Sequence, residues 1–348
     1  MMSKKWMIMF LFSFLFSGNN LSAQEVGDSL YPSFFADDEL LKISLYFDIT
    51  THIRKKSEAY CDGQVVIYDS PADSTVFDVR CRARGNNRKD ICFFPPVMLN
   101  FKPDSLFTTE GYLAKLKLVT HCVNSKMYEE YMLKEYLIYK LWELVSPYAL
   151  RTRLLEINYY DIGERDKSYH CKGFFIEPLY MMTQRTKTVE IEGEYFHDAV
   201  INALDADRVA FFSYMIGNTD WRIKSSHNVK FIKPADESRE EITAIPYDFD
   251  HAGLVNASYA NPSEWSSAKT VTERDYTGRC RDYDDNYYLL IEEFMAIEED
   301  VYETIMNFEH LDIRKRKAIY RYIVAFYKEL KKPEAFIRNI RNSCMDRY

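Results

Sequence analysis

Asp220, Asn228, Asp248 and Asp250 carry oxygen donors within two neighbouring stretches, "GNTDWRIKSSHNVKFI" (217–232) and "ITAIPYDFD" (242–250). Between them the pattern runs loop, apolar strand, polar tip, apolar strand, then Asp-Phe-Asp. A hairpin of that form returns Asp248 to the end where Asp220 and Asn228 stand. Oxygen ligands or bases gathered at one point suit phosphoryl transfer from ATP. That reaction needs a carboxylate on the attacking hydroxyl, and an Asn and an Asp to hold a metal ion on the phosphates. Mg²⁺ (or Mn²⁺) asks few protein donors, because water and phosphate complete its octahedron. Single Asp and Asn residues are common in turns. Several at the base of one hairpin carry more weight.

Phosphoryl transfer also asks for a cation on the phosphates. Lys117, in "AKLKLVT", alternates with Leu116 and Leu118 and so faces away from their side of a strand. On the following helix Tyr128, Tyr131, Met132, Glu135, Tyr139 and Trp142 recur at three- and four-residue spacing. Glu135 falls inside that aromatic stripe, where a buried carboxylate needs a cationic partner. Lys117 is the expected partner, with Lys102 and Lys115 as alternatives. Glu135 at the edge of the stripe beside Lys134 is the plainer possibility.

The elements that must position these residues are legible in outline. From 41 to about 120, "KISLYFDI", "GQVVIYDS", "STVFDVRCRARG", "PVMLNFK" and "KLKLVTHC" read as strands between turn signals. Residues 126–146 form the strongest helix, ended by Pro147, and "RTRLLEINYYDI" and "HCKGFFIEPLY" read as two further strands. After about 180 the character is helical, with "DADRVAFFSYMI" ending at Gly217. This order predicts an α+β fold in two lobes, a β-rich one over 41–178 and a helical one over 179–348, with a ligand cleft between them.

The chain has 348 residues, 47% hydrophobic and 28% charged, and is rich in Tyr (27) and Phe (23). Lys4 and Lys5, the apolar "WMIMFLFSFLF" and the small residues Ser22 and Ala23 before Gln24 read as a signal peptide over 1–23. The apolar run is too short to span a bilayer. The expectation is therefore a secreted or periplasmic protein with a polar lead-in over 24–40 and no stable membrane anchor after cleavage. Cleavage removes two Lys and no acid, taking the formal charge from −8 to −10. That balance disfavours nucleic acid as a partner. Seven Cys without C-x-x-C spacing disfavour structural zinc and leave at least one unpaired within the chain.

"GNTDW", the "HN" that opens a strand and "IPYDFDHAG" resemble second-lobe motifs of the CotH family of atypical secreted protein kinases, and more distantly of HipA-like kinases. "RARGNN" (82–87) with "PPVMLNFK" resembles the Arg-Gly-Asn turn and strand of the CotH first lobe, and "KEYLIYKLWELVSPYALRTRLLEINY" its helix and next strand. The resemblance covers about residues 78–255. It implies a two-lobed protein-kinase-like fold with ATP between the lobes, Asp220 as the catalytic carboxylate, Asn228 and Asp248 as metal ligands, and Asp250 as an auxiliary one. It also implies that Glu177 lies at the hinge beside adenine; a plain strand-end charge is the alternative. Arg84 to Asn87 are read either as a phosphate-facing turn or as a hairpin tip. Three departures stand out: Asp220 and Asn228 are eight residues apart, more than in ordinary protein kinases, Asp250 replaces the Gly of Asp-Phe-Gly, and no G-x-G-x-x-G loop is present.

The expected partners are thus a nucleotide and a protein or glycan acceptor, with transfer of AMP open to the same parts. A kinase-fold binding protein without turnover is one competing class. A metal-dependent hydrolase using His227, Asp248, Asp250 and His251 is another.

Overall fold

The structure is a computed structural model describing residues 34–344, apart from 71, 86, 103–114, 164, 194–195, 197–199, 237 and 239–240. The expected signal peptide and most of the lead-in lie outside the described residues.

Seven strands come from the β-rich half: β1 (Leu41–Phe47), β2 (Cys61–Ser70), β3 (Asp73–Ala83), β4 (Val97–Phe101), β5 (Lys115–Thr120), β6 (Thr152–Asp161) and β7 (Ser168–Ile176). They close into a barrel in the order β1-β2-β3-β4-β5-β7-β6. Alternation along each strand sends Ile43, Leu45, Val65, Val79 and Leu99 into the interior, where all are fully buried. Closure depends on β1 pairing in parallel with β6, from Leu41 opposite Leu155 to Phe47 opposite Asp161. Each strand then has two neighbours and no edge is left unpaired. Gly173 allows β7 to lie close to β5, since a Cβ there would stand 2.8 Å from the Val119 carbonyl oxygen.

Two short helices, α1 (Ile49–Lys55) and α2 (Asn87–Ile91), interrupt the strands, and α3 (Lys126–Val145) runs between β5 and β6. The chain continues through α4 (Leu179–Thr186), β8 (Thr188–Ile191), α5 (Ala203–Ile216), β9 (Val229–Pro234) and β10 (Thr243–Pro246). An irregular stretch then leads to α6 (Asp285–Ala296), α7 (Glu298–Asn307), α8 (Ile313–Leu330) and α9 (Pro333–Ser343). β8, β9 and β10 form a small antiparallel sheet. No helix among the described residues is long and apolar enough to cross a membrane.

The two-lobed kinase-like fold expected from the sequence is not what the chain adopts. Its strands form a closed seven-stranded mixed barrel rather than the sheet of a separate first lobe. The helix α3 explains why no simple division follows it. Its buried residues, Leu133, Tyr136, Leu137, Tyr139 and Trp142 among them, surround most of its circumference, so it must be covered on several sides. Tyr139 packs on Phe174 of β7 and on Phe249, with ring centroids 5.8 and 4.9 Å away, and Trp142 packs on Phe212 of α5 at 4.8 Å. One apolar core therefore runs from the outer wall of the barrel through α3 into the helical half. A second core fills the barrel interior.

Two disulfides form, Cys92–Cys122 beside α2 and Cys280–Cys344 at the end of the described chain. Cys61, Cys81 and Cys171 are free.

Candidate functional site

Helix α5 ends at Gly217, whose φ of 68° directs the chain into a loop. A Cβ at that position would meet the Tyr322 hydroxyl at 2.1 Å, so a larger residue would have to displace that ring as well as adopt the left-handed backbone. Three residues on is Asp220. Its amide nitrogen donates to Asn218 Oδ1 at 3.0 Å, which fixes the loop. Asn228 Nδ2 donates to the Asp220 backbone oxygen at 2.8 Å and to Oδ2 at 3.0 Å. Both amide hydrogens of Asn228 are thereby used, and only its Oδ1 remains to accept a bond or hold a cation. His227 Nε2 lies 2.8 Å from Asp220 Oδ1, and the Ser263 hydroxyl donates to the same oxygen at 3.4 Å.

The hairpin register sets Val229 of β9 opposite Pro246 of β10, and the Tyr247 amide donates to the Asn228 carbonyl at 3.0 Å. Asp248 accordingly emerges at the end occupied by Asn228 and Asp220. Asn228 (φ 52°) and Asp248 (φ 63°) both sit in the left-handed region, where side chains other than glycine are uncommon. The Asp248 amide donates to the buried Tyr139 hydroxyl at 3.0 Å, so α3 holds that backbone in place. No hydrogen bond reaches the Asp248 carboxylate among the described residues.

Two cations face it. Lys117, half-buried on β5, is drawn down to about 8, first by burial, then by the nearby Arg84 charge, with Asp248 opposing. Its Nζ also lies 5.2 Å from the Tyr247 ring centroid. Burial likewise lowers Arg84, with Asp248 as its main compensating charge and Arg88 adding repulsion. Arg84 Nε is buried without a hydrogen-bond partner among the described residues.

Behind these lies a buried charge network. Arg88 of α2 donates through Nη1 to Glu135 Oε2 and through Nη2 to the Thr120 carbonyl, both at 3.2 Å. Its Nε is 3.8 Å from Asp250 Oδ2, which accepts from the Tyr259 hydroxyl at 3.1 Å. Burial raises the Glu135 carboxyl, with Arg88 opposing. It raises Asp250 as well, to about 6, with the Asp248 charge adding and Arg88 opposing.

These contacts amend several expectations. Glu135 is a buried carboxylate with a cationic partner, but the partner is Arg88 rather than Lys117, Lys102 or Lys115. Asp250 is committed to Arg88 and Tyr259, which leaves it poorly placed as a metal ligand. Glu177 follows Ile176, the cross-strand neighbour of Lys117, and its buried carboxylate accepts from Arg185 and from the Arg151 amide at 2.8 and 3.0 Å. That is an internal ion pair, and the Glu177 amide is also used, donating to the Arg151 carbonyl at 2.8 Å. The four residues required for a hydrolase metal centre do not assemble: His227 turns to Asp220, and Asp250 to Arg88. Among the described residues no group of three or more His, Cys, Asp or Glu forms a metal cage.

Sequence reasoning names Tyr139 only as part of the aromatic stripe, and does not single out Arg88 or Ser263. Arg88 had one signal, its four-residue spacing from Arg84 across the "RGNNR" turn. Ser263 had none, because its contact lies 43 residues away in sequence, beyond the β9–β10 hairpin. No protein-family model matches the sequence, and no curated protein matches it.

Proposed function

We propose that the chain is a Mg²⁺-dependent phosphotransferase that moves the γ-phosphoryl group of ATP to a hydroxyl on a protein or glycan. The observation that carries this reading is the gathering of Asp220, Asn228 and Asp248 at one end of the β9–β10 hairpin, with Asn228 Nδ2 on Asp220 Oδ2 at 3.0 Å and the charges of Arg84 and Lys117 near enough to Asp248 to feel it. Two partly buried cations beside one carboxylate favour an anionic ligand, and phosphate oxygens suit both a guanidinium and an ammonium. The motif resemblance points to the same chemistry at the level of the site. The fold it implied has been set aside.

The donor set fits a small hard cation. Asp248 and Asn228 Oδ1 would hold the ion, and the nucleotide and water would complete its shell. Bound there, Mg²⁺ would neutralise phosphate charge. Arg84 and Lys117 would bind and orient the phosphates. Asp220, fixed by Asn228 through Oδ2, would orient the acceptor hydroxyl and take its proton at Oδ1. Arg88, Glu135 and Asp250 would keep the turn after β3 closed against α3, and so set the position of Arg84. The disulfides lend slight support to an oxidising compartment, which agrees with the export expected from the N-terminal sequence.

A thermal-shift series with ATP, Mg²⁺, Mn²⁺ and Zn²⁺, alone and combined, tests the reading. ATP with Mg²⁺ at 100-fold over Kd should stabilise the native state by about 2.7 kcal/mol, and ATP alone by less. Stabilisation by Zn²⁺ alone, with none from Mg²⁺ and ATP, would overturn it in favour of a hydrolase.

A further inference from the structure

We infer that Ser263 is an acceptor in cis: the chain transfers a phosphoryl group to its own Ser263 hydroxyl, with Asp220 as the base. This rests on the phosphotransferase reading and deepens it, by naming the acceptor class as a serine-type alcohol on a polypeptide.

Asp220 divides its oxygens between two tasks. Oδ2 is held by Asn228 Nδ2 at 3.0 Å, and Oδ1 meets His227 Nε2 at 2.8 Å and accepts from the Ser263 hydroxyl at 3.4 Å. A general base must lie within hydrogen-bond reach of the proton that it removes, and such contacts are often long before the substrate is bound. The segment bearing Ser263 is anchored to the loop that bears Asp220. The Ser263 amide donates to Thr219 Oγ1 at 3.1 Å, and Trp265 Nε1 donates to the Thr219 carbonyl at 2.9 Å. The Trp265 ring meets His227 edge-on, with centroids 5.5 Å apart, and the Arg222 guanidinium lies 5.5 Å from its centroid. These anchors use a backbone amide and an indole, so the hydroxyl itself is left to the carboxylate. Ser266 behaves differently. Its hydroxyl donates to Asp275 Oδ2 at 2.7 Å, which closes a turn inside the same segment.

The step balances without another reactant. The Ser263 Oγ–H proton passes to Asp220 Oδ1 as the Oγ–Pγ bond forms. The bond from Pγ to the β-phosphate oxygen breaks, and ADP leaves with its electron pair.

The test uses the purified full chain with Mg²⁺ and γ-labelled ATP, with the phosphate mapped by mass spectrometry and the rate followed over a tenfold dilution. Thermal shift on the same preparations reports Mg²⁺–ATP binding. The expected result is label on Ser263 approaching one phosphate per chain, at a first-order rate unchanged by dilution. Ser263→Thr should be labelled on the new hydroxyl, whereas Ser263→Ala should lose at least tenfold of the label. Label on Ser266 or Ser267 instead, a rate proportional to chain concentration, or ATP binding without label at Ser263 would overturn this inference and leave the phosphotransferase reading standing. A wild-type chain that does not bind Mg²⁺–ATP would remove both.

Discussion

At the scale of single residues, Asp220 and Asp248 resemble each other in chemistry but differ in surroundings. Asp220 is held by Asn228 and His227, whereas Asp248 faces Arg84 and Lys117. Asp248→Ala should therefore remove the metal dependence of nucleotide binding, as measured by titration calorimetry with and without Mg²⁺. Asp220→Ala should leave ATP affinity within a few-fold and lower transfer by about 10²–10⁴. Equal loss of binding in both variants would contradict the division of roles. Lys117 adds a pH dependence. Its folded pKa of about 8 lies below the ordinary lysine value. The folded apo chain thus holds fewer protons than the unfolded one from about pH 8 up to that value, and this group favours folding more as pH rises through the interval. Phosphate binding has the opposite need, since it requires the charged form. ATP affinity should fall as pH rises above about 8, and Lys117→Arg should abolish that fall, because arginine stays protonated. A pH profile that is the same in both proteins would exclude Lys117 as a phosphate ligand. At this scale the sequence was informative where chemistry and hairpin register coincide, at Asp220, Asn228 and Asp248. It was uninformative for Ser263, whose partner is set by tertiary contact alone.

At the scale of elements, α2 is the piece whose placement matters most. It spans only Asn87–Ile91, too short to be stable by itself. The Cys92–Cys122 bridge and the Arg88–Glu135–Asp250 network tie it to β5 and α3. Arg88→Met leaves two buried carboxylates without their cation and should destabilise the fold by about 3–5 kcal/mol in urea titrations. Arg88→Met with Glu135→Met should recover part of that loss; equal destabilisation by the single and double variants would show that the pair is not coupled. Replacing Cys92 and Cys122 by Ser opens a loop with a sequence separation of 30 residues. That should cost about 3–4 kcal/mol and weaken ATP binding, because the turn carrying Arg84 loses its clamp. Undiminished ATP affinity in that variant would separate α2 from the site. The hairpin β9–β10 was legible because alternation and polar tips fix strands locally. The Arg88–Glu135 pair was not, since a stripe on a helix reveals that a buried carboxylate needs a cation without revealing which one.

At the scale of the whole molecule, the lesson lies in β1 and β6. Each reads clearly as a strand, yet nothing in either segment says that they pair in parallel across more than a hundred residues and close a barrel. The sequence of α3 shows one aromatic stripe, while the structure buries the helix against both the barrel wall and α5. Long-range pairing and two-sided burial both lie beyond local periodicity. Shared packing on α3 has a thermodynamic consequence. Trp142 on α3 and Trp221 in the same core report on that core, and far-UV circular dichroism reports on strands and helices alike. The two signals should give one coincident denaturation curve. Separate midpoints would show that the barrel and the helical half do not unfold as one unit.

In the proposed reaction Asp220 moves a phosphoryl group from ATP held by Asp248, Arg84 and Lys117. The most direct measurement is transfer of label from γ-labelled ATP to any protein hydroxyl, run beside α-labelled ATP, for the wild type and Asp220→Ala. The account predicts γ-label on the wild type, no α-label on either protein, and loss of the γ-label in Asp220→Ala while Mg²⁺–ATP still binds. Transfer of α-label would contradict it in favour of nucleotide transfer. Undiminished γ-label in Asp220→Ala, or Mg²⁺–ATP binding by the wild type with no transfer to any acceptor, would contradict it outright.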